Sequence, residues 1–274
     1  MIQFIHAIDV FLPLVYAISL GTYLSFFLVK NPTLGRFASH FLFLGILVHI
    51  IFLGSKWAYF GFFPIASSFA SLSMLALAIG IVYYIVEKIV KEGRTGIFFL
   101  SIIFVFQLIS SMFIKYDQIP NQLLSDPKFG VHTTFTLLGI SALAISALYG
   151  LMYIMLVKEI KSRHFGVIYD GLPSLEILGK MGRYSTVVGI VVLGIGILLG
   201  HLWAYKVLGY FFKFDPKIVI TDIAWLAYVG GWIIVRKKRW YGLRGSMITF
   251  WGFLLFFTLM VFVNFIYKGF HKFM

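Results

Sequence analysis

Long apolar runs follow one another along almost the whole chain and are separated by short polar breaks. An α-helix crosses a bilayer core of about 30 Å with roughly 20 apolar residues, and eight runs of this kind occur. The predicted spans are residues 2–29, 36–54, 65–87, 96–114, 131–157, 184–204, 218–235 and 245–267. The pattern predicts an all-α, polytopic integral membrane helix bundle with about eight transmembrane helices, organised as a single transmembrane domain over residues 1–274.

The composition supports a lipid rather than an aqueous environment. Hydrophobic residues make up 61% of the chain and charged residues 12%, whereas soluble domains carry roughly 25% charged residues. The formal net charge is +13, but the basic residues lie in short clusters between the apolar runs. This arrangement is typical of proteins that orient themselves in a lipid bilayer and does not indicate binding to nucleic acid.

Lysine and arginine are divided unevenly between alternate breaks. Of the 23 basic residues, 15 lie in one set of breaks, at 30–36, 88–94, 158–183 and 236–244. The excess of positive charge assigns this set to the cytoplasmic side. Because the number of spans is even, both termini are expected on the outer side, together with the loops near 55–64, 115–131 and 205–217.

Two local patterns concern helix ends and packing. In the break 158–183, Ser174 precedes apolar residues at a spacing of three and Glu176 follows in the first turn, which predicts a short interfacial helix capped by Ser174. In the sixth span, Gly196 and Gly200 have the small-xxx-small spacing that lets another helix approach closely.

Histidines are unevenly distributed with depth. His40 and His164 lie near the predicted inner face, where a solvated or capping role is expected. Five others lie towards the outer side: His6, His49, His132, His201 and His271. Ionisable groups inside a membrane are costly unless they find partners, so these five, with Asp9 and Asp222, are candidates for function. Singly, each is more often a packing residue, but as a pair flanking one loop His132 and His271 favour a ligand role.

The loop between the sixth and seventh spans is unusually aromatic. Over residues 203–217 it carries three lysines and six aromatic residues, Trp203, Tyr205, Tyr210, Phe211, Phe212 and Phe214. Imidazole is a common axial ligand of heme iron, an aromatic wall suits a porphyrin, and lysines pair with propionates. An interfacial aromatic belt explains the Trp and Tyr residues equally well, but it explains Phe less well because Phe has no polar edge. The Asp215-Pro216 step is expected to cap the seventh span, with proline at the first helical position.

The loop resembles the tryptophan-rich outer loop of the cytochrome c assembly family, the CcsA, CcmC and HemX-like heme-handling membrane proteins. The family pattern W-G-x-x-W-x-W-D-P-K lies in register with residues 208–217. Its Gly, Asp, Pro and Lys are present, while the tryptophans are replaced by Leu208, Phe212 and Phe214. Segments 61–73, 172–175 and 240–271 show further likeness, so the resemblance extends over residues 60–274.

The resemblance implies a heme site on the outer, or periplasmic, face of a bacterial cytoplasmic membrane. In the family, the two outer histidines are axial ligands of the heme, which corresponds here to His132 and His271. The cofactor-binding residues expected around them are Trp203, Phe211, Phe212, Phe214 and Asp215. Because the chain contains no cysteine, the cofactor would be heme b held noncovalently.

Two functions are consistent with the resemblance. In the first, the protein presents heme for attachment to apocytochrome c together with a ResB/Ccs-type membrane subunit, which leaves open whether it is part of a cytochrome c heme lyase. In the second, it is a HemX-like accessory or structural subunit without heme transfer. The replaced tryptophans favour the second function, as does Ile233, which occupies the position of a further heme histidine in CcsA members. The intact histidine pair favours the first.

Overall fold

The computed structural model describes residues 1–65, 67–113, 125–163, 165–209 and 216–266. Regular secondary structure in these ranges is helical throughout. The helices are α1 (Ile2–Val29), α2 (Pro32–Phe60), α3 (Ser68–Val90), α4 (Gly96–Phe113), α5 (Pro127–Ser162), α6 (Val167–Gly171), α7 (Leu175–Leu208), α8 (Pro216–Lys237) and α9 (Leu243–Ile266).

Eight of the described helices are long and apolar enough to cross a membrane, namely all of them except the five-residue α6. The predicted all-α membrane fold with eight spans is therefore confirmed. The observed helices extend past several predicted ends because polar residues at the membrane surface continue the helix. The largest extensions are those of α7 and α2.

The predicted interfacial helix after Ser174 is not a separate element, and that prediction is wrong. Ser174 does act as an N-cap, because its Oγ accepts a hydrogen bond from the backbone N–H of Ile177 at 3.4 Å. The helix that it caps, however, is α7, which continues for 34 residues into the sixth span. Gly179 and Gly182 lie inside this helix and do not end it, so the polar first turns and the apolar span form one continuous helix.

Proline and left-handed residues set helix boundaries, as their backbone geometry requires. α1 ends at Lys30, which has a φ of 57° and donates its N–H to the carbonyl of Phe26. α2 then begins with Pro32, and Asn31 accepts from the N–H of Thr33. α8 begins at Pro216, as predicted, because a proline at this position lacks only an N–H that would be unpaired anyway.

The described residues fall into two compact units. The first lies within Met1–Gly130 and the second within Val131–Lys272. In the first unit, α1 packs against α2 and α4, and α3 packs against α2 and α4. Its core contains large side chains that are fully buried, Tyr16, Tyr23, Tyr83, Phe52 and Phe99.

In the second unit, glycines bring α5 and α7 into close contact. A Cβ on Gly139 would lie 2.5 Å from the Cα of Leu193, and one on Gly189 would lie 2.6 Å from the side chain of Leu143. The Oγ of Ser146 donates across the same interface to the carbonyl of Gly182 at 3.0 Å. Small residues at the helix interface therefore let the two backbones approach each other, as the glycine spacing in the sixth span predicts.

Candidate functional site

His132 lies at the beginning of α5 and points towards α7. Its Nδ1 is 2.7 Å from the carbonyl oxygen of Gly196. A carbonyl oxygen can only accept, so Nδ1 carries the proton and donates it to this bond. In the neutral ring the lone pair is then on Nε2, the nitrogen that a metal ion would bind. The hydrogen bond to the helix also fixes the orientation of the ring.

Glycine at two positions of α7 makes room for this arrangement. A Cβ on Gly200 would lie 2.5 Å from Cε1 and 2.6 Å from Nδ1 of His132. A Cβ on Gly196 would lie 2.7 Å from the backbone nitrogen of Thr136, one turn beyond His132. The histidine ring therefore packs directly on the glycine face of α7.

A second histidine of the same unit is paired with a carboxylate. The Nε2 of His201 in α7 lies 3.2 Å from Oδ2 of Asp222 in α8, and both side chains are largely buried. His201 also interacts electrostatically with His132. The indole N–H of Trp225 donates to the carbonyl of Ile190 at 2.8 Å, which adds a second polar link between α7 and α8.

The structure describes two of the seven predicted cofactor-binding residues. His132 is half-buried beside α7, and Trp203, in the last turns of α7, is 8% exposed. The remaining predicted residues lie outside the described residues: His271, Phe211, Phe212, Phe214 and Asp215. Their approach to His132 stays a prediction.

Three other histidines have different surroundings. His6 is exposed in the first turns of α1. His40 is exposed, which agrees with the solvated role expected for it, and its Nδ1 lies 2.6 Å from the carbonyl of Arg36 in the same helix. His49 is fully buried in the first unit, where both ring nitrogens form hydrogen bonds.

His49 belongs to a polar string that crosses the four helices of the first unit. The string consists of Tyr16, His49, Ser73, Gln107, Ser111 and Asp9. Its successive bonds are 2.9, 2.9, 2.9, 3.0 and 2.8 Å long. Each of the helices α1 to α4 contributes at least one member.

The donors of the polar string all point the same way. Ser73 uses its only hydrogen to donate to Oε1 of Gln107, so it must accept from Nε2–H of His49. The neutral ring then accepts at Nδ1 from the hydroxyl of Tyr16. At the other end, the amide of Gln107 donates to Ser111, and Ser111 donates to Asp9. The string therefore ends on a carboxylate, and each of its six residues has at least one hydrogen-bond partner.

A buried cation lies near that carboxylate. Asp9 and Lys56 are 5% and 7% exposed, and they interact electrostatically. The ammonium group of Lys56 is also 5.2 Å from the ring centroid of Phe52. The positions of Asp9 and His49 within the predicted spans made them candidates, but their partners were not selected, because only histidines and aspartates were considered.

The fold and the site define a class of protein, a polytopic membrane protein in which a histidine of one helix is hydrogen-bonded to a backbone carbonyl of another. The chain can also be placed in a family. The cytochrome C assembly protein family matches residues 65–271, which is most of the chain. The chain therefore belongs to the cytochrome c assembly protein family, and this membership supports a role in c-type cytochrome biogenesis.

Curated relatives agree with the family assignment. The chain is 26% identical over 278 residues to Protein HemX of Brevibacillus brevis, with 98% of both chains covered. It is 24% identical to cytochrome c biogenesis protein CcsA of Guillardia theta, covering 81% of this chain and 80% of the relative. The CcsA of Prochlorococcus marinus strain MIT 9215 is 26% identical, with 93% and 88% covered.

Proposed function

We propose that the protein binds heme b noncovalently through His132 and His271 and presents it on the outer face for attachment to apocytochrome c. The observation that carries this proposal is the hydrogen bond from Nδ1–H of His132 to Gly196. Histidines that bind metals usually donate their other ring N–H to a carbonyl or carboxylate, which fixes the tautomer and the ring orientation. His132 has this arrangement.

The chemistry of the residues in this part of α5 and α7 supports the proposal. Heme would supply the iron for the imidazole and would itself be the group handed to the cytochrome. The protein holds His132 in place through Gly196 and Gly200, and Trp203 adds a buried aromatic surface. The remaining members of the proposed site are His271, Phe211, Phe212, Phe214 and Asp215. A ResB/Ccs-type subunit is the proposed membrane partner.

The proposed location is a bacterial cytoplasmic membrane, with both termini on the outer side and one transmembrane domain over residues 1–274. The uneven distribution of lysine and arginine supports this orientation. It assigns the beginning of α5, the end of α7 and the beginning of α8 to the outer side. In this orientation His132, His201 and Trp203 face the periplasm or the cell exterior.

A HemX-like accessory or structural role without heme transfer is the second candidate. The similarity to Protein HemX covers 98% of both chains, whereas the two CcsA relatives described above are covered to 80% and 88%. Ile233, at the position of the further CcsA-type histidine, is an exposed apolar residue of α8. Both observations favour a protein that keeps the fold and lacks part of the transfer apparatus.

Heme titration of the purified protein tests the binding proposal. The wild type is expected to develop a Soret band, and His132→Ala and His271→Ala are each expected to diminish it. His40→Ala is the matched control, because His40 is exposed and bonds only to its own helix in the structure. A wild type in which the Soret absorption stays that of free heme would overturn the proposal, provided that circular dichroism shows the native helix content.

Co-purification separates the two candidate functions. Heme presentation predicts that apocytochrome c or a ResB/Ccs-type subunit is recovered with the heme-loaded protein. Heme-loaded protein recovered in a stable assembly without either of them would favour the accessory role.

A further inference from the structure

The second unit contains a cavity of about 460 Å³ between α5, α7, α8 and α9. This volume lies within the range of about 300–1,000 Å³ that is typical of ligand pockets. The walls are largely apolar, and several of their hydroxyl groups bond within the protein. Ser146 donates to Gly182, and Thr249 donates to Gly245 and Ser246. The interior therefore suits an apolar group.

One end of the cavity is surrounded by positive charge. Three aromatic residues line this end, Trp232, Trp240 and Tyr241. Each ring makes a cation–π contact with at least one arginine or lysine side chain. Four cations form what we call the basic mouth. Arg183 lies 5.4 Å from the ring centroid of Tyr241, and Arg236 lies 5.3 Å from that of Trp232. Lys238 and Arg244 lie 4.7 and 5.9 Å from that of Trp240. Arg183 itself lines the cavity.

The positive charge of the basic mouth is not neutralised by the described protein. The ion pairs found in the described ranges join Arg94 to Glu92 and His201 to Asp222. None of the four cations takes part in them. A ligand that is apolar along most of its length and negatively charged at one end would complement both the walls and the mouth.

We propose that this cavity binds one membrane phospholipid with a net negatively charged headgroup. The phosphate lies at the basic mouth, and an acyl chain fills the apolar space between α5, α7, α8 and α9. Basic pockets between transmembrane helices on the cytoplasmic side are characteristic sites for anionic headgroups. The charge distribution places the basic mouth on that side, and tryptophan and tyrosine are the aromatic residues favoured at this depth.

The proposal is independent of heme binding at His132. The cavity is lined by α7 residues from Leu178 to Thr186, whereas the carbonyl that binds His132 belongs to Gly196. Variants of the cavity are therefore expected to leave the Soret band unchanged. A failure of one proposal does not entail a failure of the other.

Two variants test the headgroup and the acyl chain separately. Arg183→Gln removes the cation that lines the mouth. Gly231→Phe fills the cavity, and the added Cβ would meet only Ile248, at 4.0 Å. The matched controls are Lys161→Gln, an exposed cation of α5, and Gly54→Phe, where a Cβ meets no atom within 4 Å.

Native mass spectrometry after extraction from nanodiscs of phosphatidylcholine and phosphatidylglycerol measures the retained lipid. The wild type and both controls are expected to retain phosphatidylglycerol. Arg183→Gln is expected to lower retention about fivefold, the effect of one basic residue near an anionic headgroup, and Gly231→Phe is expected to abolish it. Equal retention of phosphatidylcholine, retention that is the same in all variants, or a porphyrin in place of the lipid would overturn the proposal. Helix content by circular dichroism verifies that each variant is folded.

Discussion

Replacing Gly200 with alanine is expected to weaken heme binding by about 10- to 100-fold while the protein stays folded. The added Cβ would lie 2.5 Å from Cε1 of His132, so the ring must move by about 1 Å to restore an ordinary contact of about 3.5 Å. Such a movement lengthens the 2.7 Å bond from Nδ1 to Gly196 beyond hydrogen-bonding distance. Loss of a partner that orients a metal ligand typically costs about 10- to 100-fold in affinity.

The overpacking itself is expected to destabilise the protein by about 1–3 kcal/mol. A spectroscopic heme titration gives the dissociation constant, and thermal unfolding monitored by circular dichroism gives the stability. Gly230→Ala is the matched control, because a Cβ there meets no atom within 4 Å. In this control alanine stabilises the helix by up to about 1 kcal/mol and leaves heme affinity unchanged. Equal heme affinities for Gly200→Ala and the control would refute the role assigned to the oriented His132 ring.

Three further predictions concern the first unit, the link between α7 and α8, and the membrane orientation. A double-mutant cycle with Tyr16→Phe and His49→Leu is expected to give a coupling of about 0.6 kcal/mol, the average for polar pairs between membrane helices, and no more than about 1.7 kcal/mol; additive unfolding free energies would contradict the bond. Trp225→Phe removes the donor to the carbonyl of Ile190 and is expected to lower the unfolding free energy by about 0.5–1.5 kcal/mol, so unchanged stability would count against that link. In this cysteine-free chain, a membrane-impermeant maleimide applied to intact cells should label Gln3→Cys and not Lys161→Cys. The reverse pattern would invert the proposed orientation.

Hydropathy was sufficient to predict the eight spans because a membrane helix must satisfy its backbone within an apolar segment of known length. The chemistry of single residues was sufficient to predict that Pro216 begins α8 and that Ser174 is an N-cap. The extent of α7 was not predicted, because no residue between its polar first turns and the sixth span terminates the helix. Sequence alone did not indicate that Ser174 caps one long helix.

The partners of His49 could not be predicted from the sequence for a different reason. Which faces of two membrane helices meet depends on their rotation and tilt, and packing against neighbouring helices decides both. Ser73 and Gln107 join the polar string of His49 only when the helices pack with these particular faces together. His132 was singled out because it and His271 flank one aromatic loop and correspond to the two outer histidines of the family.

The polar string joins helices outside the family-matched region to helices inside it. That region begins at residue 65, so Asp9, Tyr16 and His49 precede it, whereas Ser73 and Gln107 lie within it. Without α1 and α2, the hydroxyl of Ser73 would lose His49 and the hydroxyl of Ser111 would lose Asp9, in surroundings where water cannot replace them. The first two helices are therefore required by the buried polar groups of α3 and α4, even though the family match does not include them. Because the polar string contains members from all four helices, the first unit is expected to assemble as a whole.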